Sequence, residues 1–396
     1  MKHAFIVPLI GGQVLGQESA LGSRPEYLMS YSPFESNDSH IVNYYKDIPY
    51  HVLDRGVPTL KSVNIIGTTC PCAGLSTLSH NASPDAAAND WMYRTAEFVL
   101  ETLKPDAFWG ENSPQFAGKI GRPVVQRLAA IARMNGYTMS IYRTRSLLHG
   151  LPQVRERAFY FFWRGNKIPI LNYFNKTVTP IETLLDSVSK TATQQELTNE
   201  KTPSKWDAMY KYVLEVVEKG VTHSEFYGII DKTTNPMDWL ERCGYTYYNV
   251  AEDMRERGED KVAVRCDRMA KKLDIGGSIM RRCTTIPKHH IGAFVGHLPT
   301  ALTHYNEDRY LTVRECMSIM GLPEDFQLLN PRSNLNHVCQ NVPVGTATDM
   351  ASEVMAAIGG KRPTIDAYLL LQSNHRQSYE VLDYQRNTIT DFISAV

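Results

Sequence analysis

Val63-Asn64-Ile65-Ile66-Gly67-Thr68-Thr69-Cys70-Pro71-Cys72-Ala73-Gly74-Leu75-Ser76 reads as a short apolar strand, Val63 to Gly67, running into a turn of small residues with two thiols. The same construction recurs twice. Ala107-Phe108-Trp109 is a short strand ending at Gly110 and followed by Glu111-Asn112-Ser113-Pro114. Leu151-Pro152-Gln153-Val154-Arg155-Glu156-Arg157 leads into the strand Ala158 to Trp163. Further strands are predicted over Ala4 to Ile10 and Tyr27 to Tyr31. Helices are predicted from Gly11-Gly12 to near Gly22, over Asn89 to Leu103 with Pro105 as a stop, and over Pro123 to Met134. Strands alternating with helices predict an α/β fold with a doubly wound, mostly parallel Rossmann-like sheet, in which ligands sit at the carboxyl ends of the strands.

After Gly165 the rhythm stops. Thr177 to Pro203 is rich in Thr, Ser, Gln and Lys and reads as linker or irregular surface, and a helical pattern returns only from Arg309. Between them, Met254 to His290 is locally basic. It carries Arg255, Arg257, Lys261, Arg265, Arg268, Lys271, Lys272, Arg281, Arg282 and Lys288 against five acids. Such a stretch is either a solvated helical face or a contact surface for nucleic acid. The chain as a whole has 42 basic and 42 acidic residues, so it is no polybasic protein, and a basic face would be local. A length of 396 residues, 43% of them hydrophobic, allows a sizeable core and more than one domain.

Other classes are excluded or weak. Met1 to Gly12 lacks the long apolar run and cleavage site of a signal peptide, and no window reaches the length of a membrane span. The seven cysteines are scattered, with no paired zinc spacing, and the expectation is reduced, mostly buried thiols and no metal. His289-His290 lacks a partner at ligand spacing, and Gly11-Gly12 with Gly16 is not the dinucleotide fingerprint. Trp91 and Tyr93 are expected to pack a helix, and Cys70 to be a small residue at a strand end.

A cysteine, an acid and an arginine at successive strand ends would converge on one crevice. They suit nucleophilic attack on an electron-poor heterocycle: a thiolate adds to the ring, an acid protonates the ring nitrogen, and a guanidinium holds the carbonyl oxygen. With these motifs the chain resembles the DNA (cytosine-5)-methyltransferase family. Pro71-Cys72 matches that family's Pro-Cys motif, Glu111-Asn112 its Glu-Asn-Val motif with Ser113 for valine, and Gln153 to Arg157 its Gln-x-Arg-x-Arg motif. Arg309 to Glu315 with Ile319 to Pro323, and Gln340-Asn341-Val342-Pro343-Val344, resemble its later motifs.

The resemblance implies that Cys72 attacks C6 of a flipped cytosine and Glu111 protonates N3. It implies that Arg155 contacts the base and its carbonyl, and that Arg157 supports the loop carrying Cys72. Residues 75 to 90 would form a mobile loop over the DNA, and Ser76, Gln153, Arg281 and Arg282 are expected DNA contacts. Three segments follow: 1–165 as the first part of a catalytic domain, 166–300 as an inserted target-recognition domain, and 301–396 as a return to the catalytic domain. The implied donor is S-adenosylmethionine, held by Ile10, Gly11, Gly12, Phe34, Glu35, Asp54, Pro71, Asn341 and Val342.

That cofactor half departs from the family pattern. The stacking phenylalanine is Val7, a loop glycine is Leu9, the ribose acid is Pro33 with Glu35 nearby, and a glycine-asparagine pair reads Cys339-Gln340. Four readings therefore stand: a DNA methyltransferase using S-adenosylmethionine, the same base chemistry with an altered donor, a non-catalytic DNA binder, and a tRNA cytosine-5 methyltransferase. The expected partner is double-stranded DNA and the expected state a monomer. The expected setting is the cytoplasm of a prokaryotic or phage-infected cell, in a restriction-modification, phage or solitary role.

Overall fold

β1 (His3–Ile6), β2 (Leu28–Ser30), β3 (Tyr50–Val52), β4 (Ile65–Thr68), β5 (Ala107–Asn112), β6 (Tyr137–Arg145) and β7 (Glu156–Arg164) form one sheet in the computed structural model. The model describes residues 1–71, 73–76, 82–188, 212–213, 215, 236–277, 279, 288–295, 302, 304–307 and 311–367. The spatial order is β3-β2-β1-β4-β5-β7-β6. The first five strands run parallel, and β7 enters antiparallel between β5 and β6. The sheet is thus mostly parallel and Rossmann-like. Strand order reverses between β1 and β4, and at such a switch point the loops diverge and leave a crevice beyond the strands' carboxyl ends.

Both faces of the sheet are buried, as the side chains of β7 make plain. Ala158, Tyr160 and Phe162 enter one apolar cluster, while Phe159, Phe161 and Trp163 enter the other. On the second face Trp109, Phe161 and Trp163 stack, with ring centroids 6.2 and 5.3 Å apart. The first face is covered by α3 (Asp90–Phe98) and α4 (Arg122–Met134), the latter starting with Pro123 in its first turn, whereas no residue of α2 (Glu35–Tyr44) enters that cluster.

α1 (Gly12–Leu21) lies on the second face against the C-terminal helix Val344–Ile358, and glycine permits the close approach. A Cβ on Gly16 would stand 2.4 Å from Ala347 Cβ and 2.7 Å from the Thr348 nitrogen. Gly16→Ala is therefore expected to destabilise the fold by about 1–3 kcal/mol, the usual cost of overpacking. Urea denaturation checks this, and an unmoved midpoint would show that the two helices part without cost.

Several boundaries differ from the sequence reading. The predicted helix over Asn89 to Leu103 is α3 followed by a π turn, Val99–Leu103. β3, α2 and β6 were not anticipated. β6 ends in Tyr-Arg-Thr-Arg and alternates polar with buried residues at the sheet edge, so it lacks the apolar run that marks the inner strands.

Chain contacts divide the protein into two compact units: 1–179 with 319–330 and 337–396, and 180–318 with 331–336. The second is helical where described. It holds α5 (Ile181–Asp186), α6 (Pro236–Arg242), α7 (Tyr247–Glu256), α8 (Asp260–Asp274) and most of α9 (Val313–Ile319). α10 (Pro331–Gln340) begins in that unit, and α11 (Val344–Ile358) belongs to the first. Thr246 and Asn249 cap α7 reciprocally. α7 and α8 join through a three-residue turn containing Gly258 at φ 74°. They share an apolar seam of Val250, Ala251, Met254, Val262, Ala263 and Cys266. No helix of the described residues is long and apolar enough to cross a membrane.

Candidate active site

β1 stops at Ile6 instead of running to Ile10, because Val7 and Leu9 take left-handed φ values of 52° and 50°. The loop 7–12 that follows opens at the switch point. Its two glycines are demanded by protein packing: a Cβ on Gly11 would meet Ile41 Cδ1 at 2.5 Å, and one on Gly12 the Val342 carbonyl oxygen at 2.2 Å. The Gly12 N–H donates to Asn341 Oδ1 at 2.9 Å. Two groups expected to face a cofactor therefore satisfy each other. Ile10 and Val342 are buried, Val342 within the apolar cluster beneath α11.

The ends of β2 and β3 carry the other expected cofactor residues. Phe34 is buried, with its ring edge-on to Trp91 at 5.0 Å; Tyr31 lies 4.9 Å from Trp91, and the Arg94 guanidinium sits 4.7 Å above Tyr31. Asp54 accepts the Ser32 N–H at 3.0 Å, closing the turn that presents Phe34. Glu35, the expected substitute for the ribose acid, is instead engaged by Arg55 at 2.7 Å. Pro71 is half-buried at the end of the segment after β4.

Sequence reasoning missed two polar groups here. Gln13 is wholly buried in the first turn of α1; its Oε1 accepts the Thr69 hydroxyl at 3.3 Å and its Nε2 has no partner. Asp38, also wholly buried, accepts the Leu9 N–H at 2.8 Å and the Tyr50 hydroxyl at 2.9 Å. Burial raises its carboxyl from 3.8 to about 7, against hydrogen bonds from Ser30, Tyr50 and Leu9 that favour the charged form. The available signal was an acid three residues before Ile41 on the inward side of a helix.

β5 runs through Gly110 to Asn112, so Glu111 lies within the strand, opposite Phe159 of β7. Gly110 must be glycine: a Cβ there would stand 2.4 Å from the Tyr160 hydroxyl oxygen. Glu111 is 5% exposed and pairs with Arg157 Nε at 2.6 Å. Burial raises the Glu111 carboxyl, and the guanidinium groups of Arg157 and Arg155 pull it back. The Ser113 hydroxyl donates to the Leu75 carbonyl at 2.7 Å, tying the end of β5 to the segment after β4. The Ser83 N–H reaches the Gly74 carbonyl at 2.9 Å, and the Asn89 amide holds the Ser83 and Pro84 carbonyls, both at 2.9 Å. Ser76 is half-buried. Cys72, residues 77–81, Arg281 and Arg282 lie outside the described residues.

The Gln-x-Arg-x-Arg segment is arranged differently from expectation. Arg155, 1% exposed, donates to the carbonyls of Cys339 and Asn341, both at 2.9 Å, so it anchors the C-terminal segment. The guanidinium paired with Glu111 belongs to Arg157. Gln153, expected at the DNA, is fully buried and donates to the Ile319 carbonyl at 3.1 Å. Its Nε2 is bonded inside the fold, while its buried Oε1 has no partner. Arg155→Met would strand two buried carbonyls, and a loss of about 2–6 kcal/mol is expected from roughly 1–3 kcal/mol for each unsatisfied acceptor. Thermal unfolding of the variant checks it; wild-type stability would mean the carbonyls find other donors.

Cys70 is buried with its sulfur 3.3 Å from the Thr68 hydroxyl, and burial pushes its thiol up. It is the small strand-end residue expected. Of the other described cysteines, Cys266, Cys316 and Cys339 are buried and Cys243 is exposed. Among the described residues no three His, Cys, Asp or Glu side chains gather as metal ligands.

A mostly parallel seven-stranded sheet of this order is a Rossmann-like methyltransferase fold, and a buried acid–guanidinium pair lies past its switch point. The family model for C-5 cytosine-specific DNA methylases matches residues 34–356, and the chain belongs to that family. Among solved structures, the chain is similar to a protein described as a DNA modification methyltransferase encoded within a prophage of E. coli. The two are 12% identical with a TM-score of 0.56, over 91% of this chain and 99% of that one. It is also similar to the Entamoeba histolytica methyltransferase EhMeth, 11% identical with a TM-score of 0.54, over 91% of this chain and 98% of that one. No curated protein matches by sequence.

Proposed function

We propose that the protein transfers a methyl group from S-adenosylmethionine to C5 of a cytosine flipped out of duplex DNA, through a covalent bond between Cys72 and C6. The observation that carries this reading is the buried Glu111–Arg157 pair, beside the strand end whose next motif is Pro71-Cys72. The Cys72 thiolate adds to C6. Glu111, its carboxyl raised by burial, delivers a proton to N3, so that the electron pair displaced from the ring develops at C5. Arg157 fixes the orientation of Glu111 and supplies positive charge where the base carbonyl gains electron density. After transfer, loss of the C5 proton expels the thiolate and restores the aromatic ring. The target must leave the duplex because stacking shields C6.

The described residues fit the donor, which when bound supplies an electrophilic methyl group. The loop 7–12 at the switch point, Phe34 beyond β2 and Asp54 beyond β3 would hold it. The unpartnered Gln13 Nε2 supplies a buried donor in the first turn of α1. A specific observation favours a second reading of the donor: the ribose acid is replaced by Pro33, and Glu35 is tied to Arg55. A donor with an altered group is therefore the alternative.

Duplex DNA as partner is supported by α8, which exposes Lys261, Arg268, Lys271 and Lys272 while Val262, Ala263, Cys266 and Ala270 turn inward. Such a face neutralises phosphates in a sequence-independent way. Mass spectrometry of nucleosides from cytosine-containing DNA incubated with protein and S-adenosylmethionine tests the whole reading. One added methyl on deoxycytidine at C5 supports it. Covalent trapping on 5-fluorocytosine DNA without methyl gain would point to the altered donor. Neither signal would leave a non-catalytic binder, and preference for tRNA in competition would overturn DNA as substrate.

A further inference from the structure

Loop 7–12 has two non-glycine residues in the left-handed region, and they are held in different ways. Val7 is fixed from both sides by backbone: its N–H donates to the Met29 carbonyl at 2.9 Å, and its carbonyl accepts the Thr69 N–H at 3.2 Å. Those bonds continue the sheet ladder, so the sheet itself compensates the strain at Val7. Leu9 has no such ladder. Its φ is 50°, where a side chain brings Cβ against the following carbonyl oxygen, and its amide is held by one side-chain oxygen, Asp38 Oδ1 at 2.8 Å. Asp38 comes from α2, and its second oxygen accepts the Tyr50 hydroxyl from β3 at 2.9 Å. One buried carboxylate thus joins three elements that border the crevice: the loop after β1, the helix after β2 and strand β3.

We propose that Asp38 is the positioning residue of this loop, holding Leu9 in its left-handed conformation and so presetting the surface that receives the donor's nucleoside. The inference rests on the reading that loop 7–12 binds the donor. Two features make a structural coincidence a poor account of Asp38. A buried carboxylate costs folding free energy that an apolar residue on the inward side of α2 would not, as its strongly raised carboxyl records. Its bond also goes to the one loop amide whose residue would otherwise relax out of the left-handed region. A charge-assisted bond to a backbone N–H is of the size needed to offset one left-handed residue.

The strain and its support should therefore be coupled. In Leu9→Gly the left-handed conformation carries no steric penalty, and Asp38 should matter far less. Amide hydrogen exchange over residues 7–12 of the ligand-free protein is to be measured in wild type, Asp38→Ala, Asp38→Asn, Leu9→Gly and the Leu9→Gly/Asp38→Ala double variant. Asp38→Ala is expected to speed exchange by roughly 10- to 100-fold, the equivalent of losing one hydrogen bond to a charged group. Asp38→Asn keeps an acceptor oxygen without the charge and should fall between wild type and Asp38→Ala. The double variant should exchange no faster than Leu9→Gly. Should Asp38→Ala not fold, the comparison of Leu9→Gly with the double variant decides alone.

A second readout is the Kd of S-adenosylmethionine by calorimetry. Asp38→Ala should weaken it about tenfold or more, one step of 1.4 kcal/mol, with the loss shrinking in the Leu9→Gly background. Equal effects of Asp38→Ala in both backgrounds, in either readout, overturn the proposal. If the wild-type protein binds no S-adenosylmethionine, the proposed donor fails, and the exchange experiment still decides whether Asp38 positions the loop.

Discussion

Cys72→Ala is expected to lower transfer to DNA by roughly 10⁴-fold or more, the scale of removing a covalent nucleophile, while DNA binding persists. The size follows from the chemistry of cytosine. C5 of the intact aromatic ring has little nucleophilicity, and only addition at C6 turns it into an enamine carbon that can attack. Every later step therefore depends on the thiolate. A control lies two residues away: Cys70 is buried, its thiol raised by burial and bonded to Thr68, so it cannot take over. Cys70→Ala should leave the covalent adduct with 5-fluorocytosine DNA intact, and Cys72→Ala should abolish it. Undiminished transfer by Cys72→Ala, measured with labelled donor, would end the covalent account.

Glu111→Gln is the second large effect, with an expected loss of about 10²–10⁴-fold in kcat, the range for a general acid. The amide keeps the volume of the side chain in a site 5% exposed, so the fold should survive. The pH dependence has a defined sign. Transfer needs the protonated acid, and burial raises the Glu111 carboxyl above 4.5, so activity due to this group is present below the raised pKa and lost as pH rises through it. Arg157 pulls the carboxyl down, hence Arg157→Met should move that limb to higher pH while lowering kcat. Initial rates at saturating DNA between pH 5 and 10 would show it. An Arg157→Met profile unmoved from wild type would mean that the pair plays no part in setting the acid.

The contrast between Arg155 and Arg157 shows where a sequence stops being informative. Arg155 immediately precedes β7 and Arg157 is its second residue, and on an extended chain alternate residues share a face, so spacing cannot rank them. The difference arises 184 residues downstream, where the Cys339 carbonyl accepts from Arg155, while Arg157 forms the ion pair with Glu111. Gln153 follows the same rule: it reads as a polar contact residue, and its Nε2 donates to the Ile319 carbonyl. A donor's partner depends on which carbonyls lack one after folding, and that is a property of the whole chain.

The cofactor half shows the other side of this limit. Val7, Leu9 and Pro33 are legible in the sequence as departures from the family pattern, yet their consequences are not. Only the folded backbone puts Leu9 in the left-handed region and brings Asp38 to its amide. Only folding spends the Gly12 N–H on Asn341, 329 positions away.

The class of fold and the set of candidate reactive groups were legible in the sequence. Strand–turn–helix alternation, apolar runs and three motifs at strand ends are local patterns, set by backbone periodicity and by residue types that tolerate few other roles. The partners of those groups came only with folding: Arg157 pairs with Glu111, Arg155 donates to the Cys339 and Asn341 carbonyls, Gln153 to that of Ile319, and Asp38 accepts the Leu9 N–H. Hydrogen bonds and burial are settled by contacts between distant segments, and one buried donor satisfied by one carbonyl fixes what its neighbours remain free to do.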